Sequence, residues 1–223
     1  MKLTVFGATG GIGGQIVEQA VAGGHDITAI ARNPGKLGGD RGIRVVGSDL
    51  LDPKLEILES AMEGADAILS GLGARSISEA GVAARGTRAI IHAMEATGVR
   101  RILVVSAAPI ATVPSPGRPN PPRYDSGDGF FMRYLFSPLI KKILRKVYAD
   151  LALMEDLLRS SNLDWTIFRP PRLTNSPRSG KYRTAFGRNV RGGLYISRAD
   201  VADAMLAAVN EVASVRETVG IAY

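Results

Sequence analysis

The chain has 223 residues, a formal net charge of +7 and no cysteine. This length suits one domain that buries its own core, and the missing thiols exclude disulfides, thiolate metal sites and cysteine nucleophiles. His25 and His92 are the only histidines and cannot form a metal site alone, so we predict no bound metal. The whole positive excess lies in residues 117–198, which hold 16 basic and 6 acidic side chains. Such a field attracts a phosphorylated cofactor, an anionic substrate, a nucleic acid or a membrane surface, and a solvated basic face is the equal alternative.

The apolar segments are too short for a secretion signal or a membrane span. Gly7 interrupts the apolar run of Leu3 to Phe6 at the N-terminus. The most apolar interior stretch, Ile102 to Val113, falls well short of the ~20 residues that cross a bilayer. We therefore expect a soluble cytoplasmic protein, present as a monomer or a small homo-oligomer.

Short apolar runs alternate with helix-length segments along most of the chain. Six runs are predicted to be strands: Leu3–Phe6, Ile27–Ile30, Arg44–Val46, Ala67–Leu69, Ile102–Val105 and Trp165–Phe168. The runs are continuously apolar, as in parallel strands that are buried on both faces. The alternation predicts one α/β domain over residues 1–223, with a doubly wound, mainly parallel sheet and helices on both faces.

The ends of three helices can be predicted from the sequence. The first helix should begin near Gly11, bury Ile12, Ile16, Val17 and Ala20, and end at Gly23-Gly24. Ser76 or Ser78 can cap a second helix that continues to Thr97, with Gly98 after its end. The capping pattern Ser197-x-x-Asp200 should open a late helix that carries Val201 and Met205.

The turn after the first strand carries the strongest functional signal. Glycine recurs at Gly7, Gly10 and Gly13, directly between a strand and an apolar helix. In a Rossmann fold the first glycine permits the tight turn, the second admits the pyrophosphate, and the third allows close packing of helix and strand. We predict that a dinucleotide is bound by this turn, with the contacts coming from Gly7, Thr9, Gly10, Gly11, Ile12 and Gly13.

The end of the second strand indicates which dinucleotide is bound. NAD-binding Rossmann domains place an acidic residue there for the ribose hydroxyls, whereas this chain has Arg32 followed by Asn33, with Lys36 nearby. A guanidinium at this position can pair with the 2′-phosphate of NADP. The sequence predicts NADP(H) in preference to NAD(H), and an exposed arginine at a strand end is the alternative.

Several further segments extend this pattern over nearly the whole chain. They are Ala31-Arg32-Asn33-Pro34, Ser48-Asp49-Leu50, Ser70-Gly71-Leu72-Gly73, Val104-Val105-Ser106-Ala107 and Asp164-Trp165-Thr166-Ile167-Phe168-Arg169-Pro170-Pro171. Together with the glycine turn, they resemble the atypical short-chain dehydrogenase/reductases. The resemblance is to their NAD(P)H-binding group, which contains flavin and biliverdin-IXβ reductases and NmrA-like proteins.

The resemblance implies further cofactor contacts. Asp49 and Leu50 should flank the adenine, Gly71, Leu72 and Gly73 should form a wall after the fourth strand, and Pro170 and Pro171 should lie near the nicotinamide. The sequence around Asp49 alone would instead indicate a helix cap or a solvated acidic side chain.

Ser106 follows the fifth strand, where short-chain dehydrogenases place a catalytic or nicotinamide-facing serine. Its hydroxyl can donate a hydrogen bond to a reducible group or to the carboxamide, and a structural serine is the alternative. The Tyr-x-x-x-Lys pair of the standard enzymes is missing, because Ala152 stands four residues after Tyr148. Alcohol dehydrogenation by the standard proton exchange is therefore disfavoured.

The substrate side is assigned to three segments. Residues 114–129 contain five prolines and three glycines and should form a loop, either a lid or an ordinary surface loop. Residues 130–147 form an amphipathic basic stretch that should pack as a helix near the cleft, and binding to a membrane surface or an acidic partner is the alternative. Residues 172–196 carry several of the late basic side chains and suggest an anionic small-molecule substrate. The late basic cluster as a whole has eight members, six of them in this segment: Arg169, Arg172, Arg178, Lys181, Arg183, Arg188, Arg191 and Arg198.

Two functions follow from these observations. The first is an NADPH-dependent oxidoreductase that transfers hydride to a small conjugated acceptor such as a flavin, a quinone or a tetrapyrrole. The second is a non-catalytic, NADP-sensing regulatory protein of NmrA-like character. A nucleic-acid partner is not expected because no recognised binding motif accompanies the charge, and a sugar-nucleotide epimerase is disfavoured by the missing Tyr/Lys pair.

Overall fold

The computed structural model describes residues 1–37, 42–74, 79–127 and 144–223. Ten strands are assigned in these ranges: β1 (Lys2–Phe6), β2 (Asp26–Ala31), β3 (Arg44–Gly47), β4 (Ala67–Ser70), β5 (Arg101–Val105), β6 (Asp164–Arg169), β7 (Arg172–Thr174), β8 (Arg183–Phe186), β9 (Tyr195–Ser197) and β10 (Glu217–Ala222). Five α-helices accompany them: α1 (Gly11–Ala22), α2 (Leu55–Met62), α3 (Val82–Thr97), α4 (Arg145–Ser160) and α5 (Arg198–Ala207). The six predicted strands are confirmed to within about a residue at each end.

Eight strands form one twisted sheet in the order β3-β2-β1-β4-β5-β6-β10-β8. All neighbouring pairs in it are parallel except β10 with β8, which is antiparallel. β7 and β9 make a separate two-stranded parallel sheet. The chain moves outwards from β1 in one direction and then returns to add β4 on its other side. This reversal places a topological switch point between β1 and β4, where open α/β sheets bind their ligands.

The sheet is covered on both faces, as predicted from its continuously apolar strands. Helices α1 and α5 pack together on one face, over side chains such as Leu3, Val5 and Ile16. Helices α2, α3 and α4 cover the other face, where Phe6 and Ile90 are buried. The fold is a single-domain Rossmann fold with a mainly parallel, doubly wound sheet, which confirms the sequence prediction.

The N-terminus of α3 differs from its prediction. The helix begins at Val82 after Gly81, whose φ of +106° is left-handed, whereas Ser76 and Ser78 lie outside the described residues. Asp150 of α4 serves as the cap, because its carboxylate accepts hydrogen bonds from the amides of Ala83 at 3.0 Å and Ala84 at 2.9 Å. The cap comes from a distant segment, so no local sequence pattern could place the start of this helix.

The start of α5 is confirmed in detail. Ser197 is its N-cap and accepts a hydrogen bond from the amide of Asp200 at 2.9 Å. The fully buried carboxylate of Asp200 also accepts from the amides of Ser179 and Gly180, both at 2.8 Å, and from the hydroxyl of Tyr223. Asp200 thereby ties part of the 172–196 segment and the last residue of the chain to α5.

This anchor predicts a loss of stability in acid. Burial alone would raise the pKa of Asp200, but the hydrogen bonds from Tyr223, Gly180 and Ser179 outweigh it and lower the pKa to about 2. Because its pKa is lower in the folded protein, ionised Asp200 stabilises the fold at pH values above its ordinary pKa of 3.8. This contribution is lost as the pH falls towards about 2. We expect Asp200 to contribute about 2 kcal/mol at neutral pH. Urea unfolding should show Asp200→Asn less stable than the wild type at pH 7, with the gap narrowing below about pH 4; a constant gap would contradict the assignment.

Candidate active site

A cleft of about 310 Å³ lies over the carboxyl ends of β1, β2, β4 and β5. The lining residues come from the glycine turn, the ends of these strands, the loop after β3, the start of α3, α4, and the segments around β7 and α5. They are Gly7, Thr9, Gly10, Gly11, Ile12, Ile30, Ala31, Arg32, Asn33, Lys36, Ser48, Asp49, Leu50, Leu51, Gly71, Leu72, Gly73, Ala74, Glu79, Val82, Val105, Ser106, Val147, Leu151, Leu173 and Arg198. Thirteen of the sixteen sequence-predicted site residues are among them, and Gly13, Pro170 and Pro171 are not.

The glycine turn has the geometry that its spacing predicts. Gly7 has a φ of +68°, which side chains rarely adopt, and its carbonyl oxygen accepts from the amide of Gly10 at 2.7 Å. A Cβ on Gly13 would lie 2.2 Å from that same oxygen, so only glycine lets α1 approach β1 this closely. Gly13 therefore serves packing and has no place in the lining.

The N-terminus of α1 opens into the cleft. Its N-cap is Gly10, which has no side chain to accept from the first helical amides, those of Gly11, Ile12 and Gly13. First-turn amides have no carbonyl partner within their own helix, and together with the positive end of the helix dipole they make a site for an anion such as a pyrophosphate. The described residues thus fit the phosphates of a dinucleotide.

Arg198 lines the cleft beside the glycine turn, whereas the sequence analysis placed it with the basic side chains of the substrate side. Its side chain extends from α5 across the start of α1, where a Cβ on Gly11 would lie 2.5 Å from its Cδ. The guanidinium also donates to the side chain of Asn175 at 2.7 Å. Among the described members of the late basic cluster, Arg198 alone lines the cleft. Arg169 and Arg178 instead pair with acidic side chains, and Arg183 donates to backbone carbonyls.

The end of the cleft beside β2 contains charges of both signs. Arg32, Asn33 and Lys36 line it, as predicted, and Asp49 lies opposite with its carboxylate accepting from the amide of Leu51 at 3.0 Å. Arg32 is half exposed and forms an ion pair with Glu79, with 3.1 Å between Nη2 and Oε1. A 2′-phosphate that binds Arg32 must therefore share it with this carboxylate or displace it.

Ser106 lies at the other end of the cleft, beside Val105, Leu151 and Leu173. Its hydroxyl donates to Oε1 of Glu155 at 2.6 Å. Glu155 is fully buried on α4, the helix that also carries Tyr148, and its carboxylate pairs with Arg169 and Arg159. The sequence analysis expected this hydroxyl to donate towards the cleft, whereas in this structure its proton is directed to Glu155. The role of Ser106 towards a nicotinamide stays a prediction.

Pro170 and Pro171, which the sequence analysis places near the nicotinamide, are not among the residues that line the cleft. The carbonyl oxygen of Pro170 accepts from the amide of Ala108 at 2.9 Å and joins the end of β6 to the segment after β5. Leu173, two residues after Pro171, is the side chain from this region that lines the cleft. Contact between the two prolines and a nicotinamide stays a prediction.

The predicted lid is described up to residue 127. Asp156 of α4 accepts from the hydroxyl of Ser115 at 3.0 Å and from the amide of Gly117 at 2.8 Å. These bonds hold the first part of the 114–129 loop on α4. Most of the 130–147 stretch lies outside the described residues, and Val147, in the first turn of α4, lines the cleft. The lid role stays a prediction.

The site geometry agrees with the comparison to known families. A model of an NAD(P)H-binding family matches residues 7–212. The chain belongs to this NAD(P)H-binding family. Its Rossmann fold and glycine turn are therefore those of a dinucleotide-binding protein, as the sequence predicted.

Individual proteins are similar over the whole chain. The uncharacterized protein YwnB of Bacillus subtilis is 26% identical over 212 residues, which are 92% of this chain and 91% of YwnB. The anaerobilin reductase ChuY of Escherichia coli O157:H7 superposes with a TM-score of 0.73 at 22% identity, covering 99% of this chain and 97% of ChuY. A short-chain dehydrogenase/reductase of Veillonella parvula, solved with NADP, has a TM-score of 0.74 at 19% identity and covers 100% and 94%.

Two observations concern metals and membranes. Within the described ranges, no three acidic or histidine side chains are grouped so that they could hold a metal ion. The same ranges contain no helix that is long and apolar enough to cross a bilayer.

Proposed function

We propose that this protein is an NADPH-dependent reductase of a small conjugated acceptor, of the flavin, quinone or tetrapyrrole type. The observation that carries the proposal is the composition of the Ser106 end of the cleft. Apolar side chains surround Ser106 there. The described lining residues include no tyrosine and no histidine, and Lys36 lies at the opposite end of the cleft, beside β2. A carbonyl substrate needs a positioned group to exchange its proton, whereas a conjugated acceptor can take its proton from water.

The chain's own residues supply binding and orientation. The amides at the start of α1 and the guanidinium of Arg198 suit the pyrophosphate, and Arg32 suits the 2′-phosphate. Reduced nicotinamide supplies a hydride when bound. An acceptor bound beside it would take that hydride together with one proton from solvent, and the chain's own residues would hold both molecules in place.

The buried side chains behind Ser106 support the assignment of the proton to solvent and not to a protein group. Burial raises the pKa of the Glu155 carboxyl, but the hydrogen bond and the charge of Arg169, with Arg159 and Ser106, outweigh it and lower the pKa. Glu155 is therefore ionised at neutral pH and carries no proton to give. Solvent is left as the source of the proton.

The fold neighbours are consistent with a reductase. ChuY is an anaerobilin reductase and the Veillonella parvula enzyme binds NADP. Preference for NADPH and a cytoplasmic location belong to the proposal, as does the acceptor class.

Purified protein should oxidise NADPH in the presence of at least one acceptor from a panel of flavins, biliverdins and quinones. For a tetrapyrrole, which accepts hydride at carbon, NADPH labelled by deuterium at the transferred position should leave the deuterium on the reduced acceptor. Gly10→Val protein, which we expect not to bind the cofactor, is the matched blank. Tight NADPH binding with no oxidation above this blank for any acceptor would contradict the reductase and favour the NADP-sensing alternative.

A further inference from the structure

Ser106 is held rigidly at the edge of the cleft. Its amide donates to the carbonyl oxygen of Phe168 at 2.8 Å, which continues the pairing of β5 with β6 beyond the end of β5. The residue is 6% exposed, and its side chain lies between the cleft and the buried Glu155. Little freedom remains for the serine except rotation of its hydroxyl.

The partner of Ser106 determines which way that hydroxyl points. Glu155 is 0% exposed, and Arg169 donates to both of its oxygens, from Nε at 2.9 Å and from Nη2 at 2.5 Å. Arg159 adds a third bond at 2.7 Å. An ionised carboxylate can only accept hydrogen bonds, so in the 2.6 Å contact the proton belongs to Ser106.

A hydroxyl has one proton and two acceptor lone pairs. Because the proton of Ser106 is directed to Glu155, the oxygen presents acceptor capacity to the cleft. The carboxamide of nicotinamide offers both a carbonyl acceptor and an amino donor, and the donor is the group that this oxygen can bind.

We propose that Ser106 orients the nicotinamide by accepting a hydrogen bond from the carboxamide amino group, with Glu155 as the positioning residue that sets this polarity. The inference rests on the proposed function, since it requires a nicotinamide at this end of the cleft. It assigns to Ser106 the opposite direction of hydrogen bonding from the one that a proton-donating serine would use.

The acetylpyridine analogue of NADPH tests the direction of the bond. In this analogue a methyl group replaces the amino group, and the carbonyl oxygen is kept. Wild-type protein should bind NADPH about fivefold more tightly than the reduced analogue, the usual effect of one neutral hydrogen bond. Ser106→Ala lacks the hydroxyl that accepts from the amino group, so its preference for NADPH over the analogue should be about fivefold smaller than that of the wild type.

The conservative variant keeps the test independent of packing. Ser106→Thr retains the hydroxyl and should retain the wild-type preference for NADPH over the analogue. A Ser106→Ala variant with an unchanged preference would overturn the inference, because a hydroxyl that donates to the carbonyl treats both cofactors alike. Failure of the wild type to bind either cofactor would instead overturn the proposed function.

Glu155→Gln tests the positioning role. A glutamine can donate to Ser106 as well as accept, so the hydroxyl is no longer confined to donating, and the preference for NADPH over the analogue should decrease. Arg159→Met is the matched control, because it removes a partner from Glu155 on the partly exposed side and leaves Arg169 and Ser106 in place. An unchanged preference in folded Glu155→Gln protein would overturn the role of Glu155. If this variant does not fold by circular dichroism, the three Ser106 proteins still decide the direction of the bond.

Discussion

Gly10→Val is expected to abolish measurable binding of NADP(H) while the protein still folds. Gly10 has φ −84° and ψ 170°, which valine readily adopts. A Cβ there would lie 3.0 Å from the carbonyl oxygen of Gly7, a tight contact that a shift of a few tenths of an ångström relieves. The branched side chain would then stand beside the first amides of α1, in the space that a pyrophosphate needs.

Gly14→Val is the matched control for this prediction. Gly14 lies one turn further along α1, outside the cleft lining, and a Cβ on it would lie 3.5 Å from the carbonyl oxygen of Ala8. The variant places the same residue in the same helix, so it should bind NADPH as the wild type does. Calorimetric titration with NADPH, beside thermal unfolding followed by circular dichroism, separates binding from folding. Wild-type affinity in Gly10→Val would mean that the phosphates bind elsewhere.

Local patterns were sufficient for six of the eight strands of the central sheet and for the glycine turn, but not for β8 and β10. The strands near β1 are buried on both faces, so their residues are continuously apolar whatever the neighbouring strand is. The start of α1 could be predicted because Gly7, Gly10 and Gly13 each answer a requirement of the turn itself. The Ser197 cap of α5 is local in the same sense, since both partners lie within four residues.

Features that depend on distant partners could not be predicted. The cap of α3 is Asp150, a residue of α4. Arg198 reaches the glycine turn only because α5 packs on α1, and in the sequence it is one arginine among many. The proton of Ser106 is committed by Glu155, 49 residues later. Each of these contacts follows from tertiary packing, for which a single sequence carries no period or spacing.

Short strands at the end of the chain were missed for a related reason. β7 and β9 have three residues each, and β8 is an exposed edge strand with polar and charged residues. Such segments lack the apolar run that reveals a buried strand. Their positions are set by pairing, β8 with β10 and β7 with β9.

Arg32→Ala is expected to weaken NADPH binding by roughly ten- to a hundredfold and NADH binding by only a few-fold. The two cofactors differ by the 2′-phosphate, and a hydrogen bond to a charged group contributes about 1.5–3 kcal/mol. The loss of NADPH affinity should lie nearer tenfold than a hundredfold, because the phosphate must compete with the carboxylate of Glu79, 3.1 Å from the guanidinium. Lys36 lines the same end of the cleft and reduces the loss further.

Glu79 provides a variant with the opposite effect. Glu79→Gln removes the competing charge, so NADPH affinity should rise a few-fold while NADH affinity stays the same. Arg32→Asp should reverse the preference, because a carboxylate repels the phosphate and can accept from the ribose hydroxyls of NADH.

Both affinities can be measured by calorimetric titration of wild type and the three variants at two salt concentrations. Added salt should weaken NADPH binding to the wild type more than to Arg32→Ala, because the half-exposed guanidinium is screened. Gly14→Val protein controls for changes unrelated to the phosphate. Equal binding of both cofactors by the wild type, together with the same ratio in Arg32→Ala, would refute the NADP preference. The dinucleotide assignment at Gly7 to Gly13 would remain, since the turn is predicted to bind the pyrophosphate that both cofactors share.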